Sequence, residues 1–362
     1  MVNAGSSSLK LRLLGDGNRP LAQQDLPAAH GRFEAAALTS ALAAMGDADA
    51  VGHRVVHGGT VFTGSVRVDP GVEARLRALI DLAPLHLPAN LAAMDAVARV
   101  RPDLPAIACF DTAFHVGLPA EAATYALPLE WRERYGLRRF GFHGLSHAYA
   151  ARRAATLLGR DPGALRTVTC HLGSGASLAA VQGGRSVDTT MGFTPLEGLV
   201  MATRSGSVDP GLLLWLEEHA GLRPHDLATA LDERSGLLAL AGTADMREAL
   251  RASAAGEPRA QLALGVYVHR LRGSVAAMAA ALGGLDALVF TGGVGEHAPE
   301  VRTLTAAGLG FLGVALDEEA NRAAAQDADI SAPGAAVRTL VVAAREDVEI
   351  AGEVRRVLAA GG

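Results

Sequence analysis

Apolar residues recur along this chain in short, nearly continuous runs that are separated by longer mixed segments. Four of these runs end in small or polar residues and predict strands that are covered on both faces: residues 106–111, 167–173, 287–293 and 337–344. Between the runs lie segments of helical character: residues 72–82, 146–158, 211–219 and 259–282. Strands that alternate with helices of this length indicate an α/β fold.

A weak internal repeat opens each half of the chain. Residues 3–13 (NAGSSSLKLRL) and 171–181 (HLGSGASLAAV) both contain a Gly/Ser-rich turn followed by alternating apolar positions. This pattern predicts a β-hairpin with a tight turn. Two such hairpins suggest a duplicated domain with a cleft between the copies.

Composition narrows the class of protein. The 362 residues are enough for two domains of roughly 150 residues each. A net charge of -5 argues against a nucleic-acid partner, whose binding surface would be basic. No amino-terminal signal and no membrane-length apolar run is visible, so a cytosolic protein is expected. Cys109 and Cys170 lie in apolar runs and are predicted to be buried, inert thiols.

Three Gly-rich turns are candidate phosphate sites, at residues 5–8, 173–175 and 292–295. Backbone N–H groups in such turns bind anions without help from side chains. None of the turns has the spacing of a P-loop, and each alone is more often a plain turn. Three in one chain favour a nucleotide. The single lysine, Lys10, follows the first turn and is suited to touch a phosphate as a compact charge.

Two loop arginines are candidates for binding the acceptor. Arg54 and Arg204 each lie in a Gly-containing segment that is predicted to be a loop, and a guanidinium binds carboxylate or phosphate with two parallel hydrogen bonds. For either one, the alternative is a surface arginine. Asp111 and Glu346 each follow an apolar strand-like run and are candidates to hold Mg²⁺, directly or through water. His143, beside a helix start, is either structural or a donor.

The chemistry of the acceptor separates two kinds of kinase. An alcohol acceptor needs a base to remove its proton. A carboxylate acceptor, with a pKa of roughly 4, arrives already ionised, so the difficulty is to bring an anion up to a polyanion. Arginines, a histidine donor and Mg²⁺ are the groups that this second reaction requires.

The motifs together resemble those of the acetate kinase (acetokinase) family, in the same order from residue 3 to residue 351. They are NAGSSSLK, GHRVVHGG, LAPLH, FDTAFH, GFHGLSH, CHLGSG, TTMGFTPLEGL, ATRSGSVDPG, FTGGVGEH and REDVEIA. The resemblance implies an α/β fold of duplicated actin-like ATPase (ribonuclease H-like) domains with a central nucleotide cleft. It assigns residues 1–147 plus 348–362 to an acceptor-side domain and residues 148–347 to a nucleotide-side domain.

The resemblance also implies an activity, which is reversible phosphorylation of acetate by ATP with Mg²⁺ or Mn²⁺, in a homodimer without nucleic-acid or membrane partners. The catalytic set that it implies is Arg54, Asp111, His143 and Arg204. The implied acceptor pocket is Val56, Leu85, Phe142 and Pro195, and the implied metal residues are Asn3 and Glu346. The implied nucleotide residues are Ser8, Lys10, His171, Gly173, Ser174, Gly175, Asp245, Met246, Arg247, Gly293, Val294 and His297. His86 and His147 are expected to play supporting roles.

Several positions depart from the family pattern. Ser174 and His297 stand where Asn is usual, Met246 replaces Phe, and Arg345 replaces Asn. The segment between residues 10 and 53 is short, and a longer first strand is usual. Two alternatives follow, a propionate or butyrate kinase of the same superfamily and an ATP-binding module without catalysis. Val56 favours the smallest acceptor, although one methylene changes the binding free energy by only about 1–3 kcal/mol.

Overall fold

Two six-stranded mixed β-sheets organise the computed structural model, which describes residues 1–5, 8–28, 33–84 and 86–361. The chain forms two compact units. The first unit contains Met1–Val116, Phe142–Tyr149 and Arg345–Gly362, and the second contains Gly117–Gly141 and Ala150–Ala344. Each unit holds one of the sheets.

The sheet of the first unit has the order β3-β2-β1-β4-β6-β5. Its strands are β1 (Val2–Ala4), β2 (Ser8–Leu14), β3 (Pro20–Pro27), β4 (Val51–Val55), β5 (Val66–Arg67) and β6 (Ala106–Phe110). Strands β1, β2 and β3 form an antiparallel meander, whereas β4 lies parallel to both β1 and β6. The short edge strand β5 pairs antiparallel with β6.

The sheet of the second unit repeats this topology strand for strand. Its strands are β7 (Arg166–Leu172), β8 (Ala176–Gln182), β9 (Arg185–Thr189), β10 (Ala287–Thr291), β11 (Ala328–Asp329) and β12 (Arg338–Val341). Their order is β9-β8-β7-β10-β12-β11, with the same strand directions as in the first sheet. The duplication suggested by the two Gly/Ser-rich turns is therefore confirmed.

Fifteen α-helices connect and cover the strands in the described part of the chain. They are α1 (Ala35–Met45), α2 (Pro70–Arg77), α3 (Leu87–Val100), α4 (Ala120–Ala123), α5 (Leu129–Tyr135), α6 (Gly144–Leu157), α7 (Pro210–Ala220), α8 (Pro224–Glu233), α9 (Gly236–Ala241), α10 (Met246–Ala254), α11 (Pro258–Ala281), α12 (Gly292–His297), α13 (Pro299–Ala307), α14 (Glu318–Ala323) and α15 (Glu346–Ala360). None of these described helices combines the length and the apolar character that spanning a bilayer requires.

The four long apolar runs form strands β6, β7, β10 and β12, as the sequence predicted. Two of the runs end more than one residue earlier than expected. The fourth ends at Val341, and the third ends at Thr291, because Gly292 turns the backbone into the left-handed region with φ of 78° and α12 begins there. A Cβ on Gly292 would lie 2.8 Å from the Leu172 carbonyl oxygen, so this turn requires glycine.

Strand β4 presents its alternate residues to two different helices. Val51 and Val55 pack in apolar clusters that include residues of α3. On the opposite face, a Cβ on Gly52 would lie 2.4 Å from Ile350 Cγ2, so α15 contacts the strand backbone directly. This close approach places Arg54, on the same face as Gly52, near the amino-terminal end of α15.

Candidate active site

The Arg54 guanidinium is the centre of a polar cluster at the carboxyl ends of β1, β4 and β6. Its Nε donates to both oxygens of Asp111, at 3.0 and 3.1 Å, and its Nη2 donates to Asp111 Oδ2 at 2.5 Å. Its Nη1 donates to Asn3 Oδ1 at 3.2 Å. Parallel strands bring these ends to one edge of the sheet, which explains why residues distant in sequence meet there.

The Arg54–Asp111 pair is almost entirely buried, with side-chain exposures of 15% and 1%. Burial opposes the charged form of Arg54, but the charge and hydrogen bonds of Asp111 raise the pKa of the guanidinium above its ordinary value. Burial also pushes the pKa of Asp111 upward, and Arg54 acts against that shift. A guanidinium carries five N–H groups, so Arg54 keeps two for an anionic ligand beyond those given to Asp111 and Asn3.

Glu346 and Lys10 flank this cluster. Asn3 Nδ2 donates to Glu346 Oε2 at 3.4 Å, and Glu346 is the first residue of α15. Lys10 is the cross-strand partner of Asn3 in the β1–β2 ladder, and directly opposed residues of antiparallel strands project from the same face. Lys10 is exposed. One face of the first sheet therefore contains four of the residues predicted to bind phosphate or metal: Asn3, Lys10, Arg54 and Glu346.

His143 lies in a tight turn against Asp111. The residue has a left-handed φ of 55°, and its backbone N–H is hydrogen-bonded to the Asp111 carboxylate. The next residue, Gly144, donates its N–H to the Asp111 carbonyl at 3.0 Å, and a Cβ there would lie 2.0 Å from that oxygen. The second glycine of the GFHG motif is therefore required, because any side chain at residue 144 would collide with the Asp111 backbone.

A row of imidazoles runs inward from His143. The ring centroid of His147 lies 6.5 Å from that of His143 and 5.8 Å from that of His115. His147 and His115 are fully buried, and burial lowers the pKa of His115 to about 4. The inner two rings therefore belong to the packing of the first unit.

Part of the predicted acceptor pocket lies in the first unit. Val56 and Phe142 are both buried, and Phe142 packs edge-to-face on His57 with centroids 5.3 Å apart. Leu85 lies outside the described residues. The Val56 N–H is held by Asn90 Oδ1 at 3.0 Å, and Asn90 Nδ2 donates to the Ala4 carbonyl at 3.0 Å.

In the second unit, Arg204 is a half-buried guanidinium that lacks a carboxylate within 4.0 Å among the described residues. Its Nη1 donates to the Pro195 carbonyl at 2.6 Å. Burial lowers the pKa of Arg204 from its ordinary value, with Asp232 acting in the opposite direction. A positive charge balanced by no adjacent carboxylate favours an anionic ligand.

The turn between β7 and β8 contains three of the predicted nucleotide residues, Gly173, Ser174 and Gly175, and a fourth precedes it. His171 lies near the end of β7, and the Gly173 N–H is bonded to the Gly175 carbonyl at 2.9 Å. Ser174 is exposed at the tip, where its carbonyl accepts from Ala202 N at 3.1 Å. The turn is thus tied to the segment that precedes Arg204.

Helix α12 opens beside the end of β10. The backbone of Gly293 has open space around it, since a Cβ there would have no neighbour within 4 Å. Val294 and His297 follow on the same helix. The buried Arg302 guanidinium supports this helix by donating to the carbonyls of Gly295 and Glu296, each at 2.8 Å.

The segment Asp245–Arg247 starts helix α10. Asp245 caps the helix by accepting from the Arg247 N–H at 2.8 Å, and the two side chains also form an ion pair. The bonds from Arg247 lower the pKa of Asp245 to about 2. Arg247 is exposed, whereas the Met246 side chain is buried and packs in the core.

Two positioning residues of the first unit were not found from the sequence. Asn90 lies within α3, and Thr112 accepts the Gly58 N–H on its Oγ1 at 3.0 Å. Both are buried. A polar residue inside an apolar helical pattern was a signal for Asn90, but its partners on β1 and after β4 depend on tertiary structure.

The oxygen donors of the first unit fit a magnesium ion that keeps water and phosphate ligands. The oxygens of Asp111 and the Asn3 amide oxygen already accept from Arg54, so the Glu346 carboxylate is the most open of the set. In the described ranges, no three His, Cys, Asp or Glu side chains are grouped as metal ligands. Mg²⁺ is usually held by one or two carboxylates together with substrate phosphates, which this arrangement allows.

The repeated sheets, the Gly-rich turns and the two arginines define an α/β phosphotransferase built from duplicated domains. Residues 33–352 match the acetokinase family. The acetate kinase of Gloeobacter violaceus is 53% identical over 317 residues, which is 87% of this chain and 78% of that protein. The chain belongs to the acetokinase family.

Solved structures agree with the sequence comparison. The crystal structure of Porphyromonas gingivalis acetate kinase matches with a TM-score of 0.89 and 37% identity, over 99% of this chain and 98% of that one. A propionate kinase from Francisella tularensis matches with a TM-score of 0.89 and 34% identity, over 97% of each chain. The fold is the duplicated actin-like ATPase fold that the motifs predicted.

Proposed function

We propose that this protein catalyses the reversible, ATP-dependent phosphorylation of acetate to acetyl phosphate. The observation that carries the proposal is the buried Arg54 cluster, in which Asp111 and Asn3 orient a guanidinium that still has N–H groups to donate. Membership of the acetokinase family supports the same activity. Since acetate is ionised at neutral pH, the site needs cations rather than a base.

Each catalytic residue has a role that its surroundings support. Arg54 and Arg204 bind the acetate carboxylate and the transferring phosphoryl group, whose negative charge must be balanced in the transition state. Asp111 holds Arg54 in position, and His143 donates to the developing negative charge. Val56 and Phe142 of the first unit contact the acetate methyl group.

ATP and Mg²⁺ complete the proposed site. The turn at residues 173–175 and the start of α12 at residues 292–295 bind phosphates through backbone N–H groups, with Lys10 as a further cation. Residues 6 and 7 of the first predicted turn lie outside the described residues. Glu346 and Asn3 would hold Mg²⁺, which supplies charge neutralisation on the phosphates when bound. The segment Asp245–Arg247 contacts the nucleoside.

Acetate and propionate are the two acceptors to separate. The similarity to a propionate kinase structure favours propionate as the second candidate. A pocket distinguishes one methylene by only about 1–3 kcal/mol, so both are expected to react and acetate to react faster.

The test is a hydroxamate assay on the purified protein with ATP, acetate, propionate or butyrate, and Mg²⁺ or EDTA. We expect acetyl hydroxamate with Mg²⁺ and none with EDTA, and kcat/KM highest for acetate. Loss of activity in Arg204→Ala, beside full activity in the exposed control Arg223→Ala, is expected if Arg204 binds the anions. A marked propionate or butyrate preference would change the acceptor. No product with any acceptor would instead support a non-catalytic ATP-binding module.

We also propose that the protein is a homodimer. Helix α7 supports this proposal, since Leu212, Leu214 and Trp215 are 47%, 61% and 54% exposed, and large exposed apolar side chains grouped on one element are typical of an interface. Light scattering should give twice the mass of the chain, and a Leu214→Glu/Trp215→Glu variant should give the monomer mass. A monomeric parent protein would contradict the proposal.

A cytoplasmic location completes the proposal. The support is the substrate, since an enzyme that consumes ATP works where ATP is supplied. Cell fractionation followed by the hydroxamate assay should recover the activity with the cytoplasmic fraction.

A further inference from the structure

Three side chains of the second unit, Tyr125, Arg139 and Glu197, form a closed cluster outside the proposed site. The Tyr125 hydroxyl donates to Glu197 Oε2 at 2.6 Å, and Arg139 Nη2 donates to Glu197 Oε1 at 2.7 Å. Arg139 also lies over the Tyr125 ring, 5.5 Å from its centroid. Both oxygens of the Glu197 carboxylate are therefore occupied.

The cluster also holds the backbone of the segment before Glu197. The Phe193 N–H donates to the Tyr125 hydroxyl at 2.9 Å, and Arg139 Nη1 donates to the carbonyls of Thr190 and Met191, at 3.2 and 3.0 Å. Burial, together with the bond to Glu197, raises the pKa of the Tyr125 phenol, which keeps it a donor. The turn of this segment is thus fixed from two sides.

The fit around the cluster is too close for any side chain at residue 192. A Cβ on Gly192 would lie 1.8 Å from Glu197 Oε2 and 2.1 Å from the Tyr125 hydroxyl oxygen. The carboxylate therefore lies directly against the backbone that it holds, and a small displacement of Glu197 displaces the turn.

The same segment reaches the Arg204 guanidinium within a few residues. Pro195, two residues before Glu197, offers its carbonyl to Arg204 Nη1 at 2.6 Å. One residue after Glu197, the Gly198 N–H donates to Ser207 Oγ and the Ser207 N–H donates to the Gly198 carbonyl, each at 3.0 Å. Glu197 thus anchors the short stretch that carries the Arg204 acceptor.

We propose that Glu197 is a positioning residue for Arg204, acting through the carbonyl of Pro195, with Tyr125 and Arg139 holding the carboxylate in place. Among the described residues Arg204 has no carboxylate partner, so the direction of its free N–H groups depends on this carbonyl. This role rests on the proposed acetate kinase activity, in which Arg204 binds the anionic substrates. Glu197 does not contact the substrate in this proposal, but it determines the orientation of the Arg204 guanidinium.

The test is a double-mutant cycle that combines Glu197→Gln with Arg204→Lys. Gln replaces one of the two acceptor oxygens by an NH2 donor and removes the charge that pairs with Arg139, so the single variant should lose about 10-fold in kcat, with a smaller change in the KM for ATP. In the Arg204→Lys background the same change should cost less than about 2-fold, because the guanidinium that it positions is gone. Full multiplication of the two losses, or a wild-type kcat in Glu197→Gln, would overturn the role.

A second variant keeps the test decisive if Glu197→Gln folds poorly. Tyr125→Phe removes one hydroxyl and should lower kcat about 3-fold or more, whereas the exposed controls Tyr135→Phe and Glu133→Gln should behave as wild type. A Tyr125→Phe enzyme with a lowered melting temperature and an unchanged kcat would show a purely structural cluster and reject the proposal. If the wild-type protein makes no acyl phosphate, the proposed function is rejected. If the wild type is active and the Glu197 and Tyr125 variants are equally active, only the positioning role is rejected.

Discussion

Arg54 and Asp111 form a forked ion pair in which the Nε and Nη2 groups of the guanidinium face both oxygens of the carboxylate, with the shortest contact at 2.5 Å. The pair joins the ends of two neighbouring parallel strands, β4 and β6. A charge-assisted, two-point contact of this kind restricts the guanidinium to one plane. The geometry therefore supports a role for Asp111 in orienting Arg54, and the metal role suggested for an acid at this strand end stays a prediction.

Replacing Asp111 by Asn tests this interpretation. The amide would turn an N–H group toward the guanidinium and leave Arg54 without its counter-charge, so we expect kcat to fall by about 10²-fold or more. The KM for acetate should rise as well, because Arg54 also binds the carboxylate. Steady-state kinetics would show this, with the exposed Asp103→Asn, which pairs with Arg101, as the control. Near-normal kinetics in Asp111→Asn would contradict the positioning role.

Asn90→Ala removes the link between the acceptor side and the phosphate side of the first unit. The Val56 N–H and the Ala4 carbonyl would both lose their partner while buried, which costs about 1–3 kcal/mol for each group. We expect a clear fall in the free energy of unfolding, measured in urea, and a raised KM for acetate. Asn321→Ala is the matched control, since that buried Asn makes its contacts in the second unit. It should lower stability but leave the acetate KM unchanged, and equal KM values in both variants would argue against a link through Asn90.

Gly144→Ala should be among the most damaging single-methyl changes in this protein. The new Cβ would lie 2.0 Å from the Asp111 carbonyl oxygen, so the His143 turn and Asp111 must separate. Loss of more than about 10²-fold in kcat is expected, with impaired folding as the extreme result. Gly352→Ala, in helix α15, meets nothing within 4 Å and should raise stability by about 0.5–1 kcal/mol. Thermal unfolding of the two variants should show a lower melting temperature for Gly144→Ala and a higher one for Gly352→Ala.

His115 predicts a loss of stability in mild acid. Burial lowers its pKa from 6.5 to about 4, so between these values the unfolded chain binds a proton that the folded chain does not. Stability from this residue is therefore complete above about pH 6.5 and falls as the pH decreases toward 4, by up to ~1.4 kcal/mol per pH unit. His53, whose pKa burial lowers to about 3, acts in the same direction. The urea unfolding free energy of His115→Gln, measured at several values between pH 4.5 and 7, should show a shallower slope than that of the wild type.

Local sequence patterns predicted much of the fold. The four long apolar runs form strands β6, β7, β10 and β12, because a strand that is buried on both faces needs apolar side chains at every position. The Gly/Ser-rich turns marked the first hairpin of each sheet, and the identical strand order of the two sheets confirms that the halves are copies. The error at residues 292–293 arose because a strand running into a helix through a left-handed glycine has no apolar signal of its own.

The motifs and their order determined the family and the chemical class, because catalysis of this kind requires particular side chains in particular loops. Which of those side chains meet was decided by tertiary structure alone. Arg54 and Asp111 are 57 residues apart and Asn3 and Glu346 are 343 apart, and they meet because parallel strands and α15 end at one place. Asn90 bonds the backbone of Ala4 and Val56, and Glu197 bonds the side chains of Tyr125 and Arg139. These partners are far away in sequence, so the contacts depend on packing that no local pattern records.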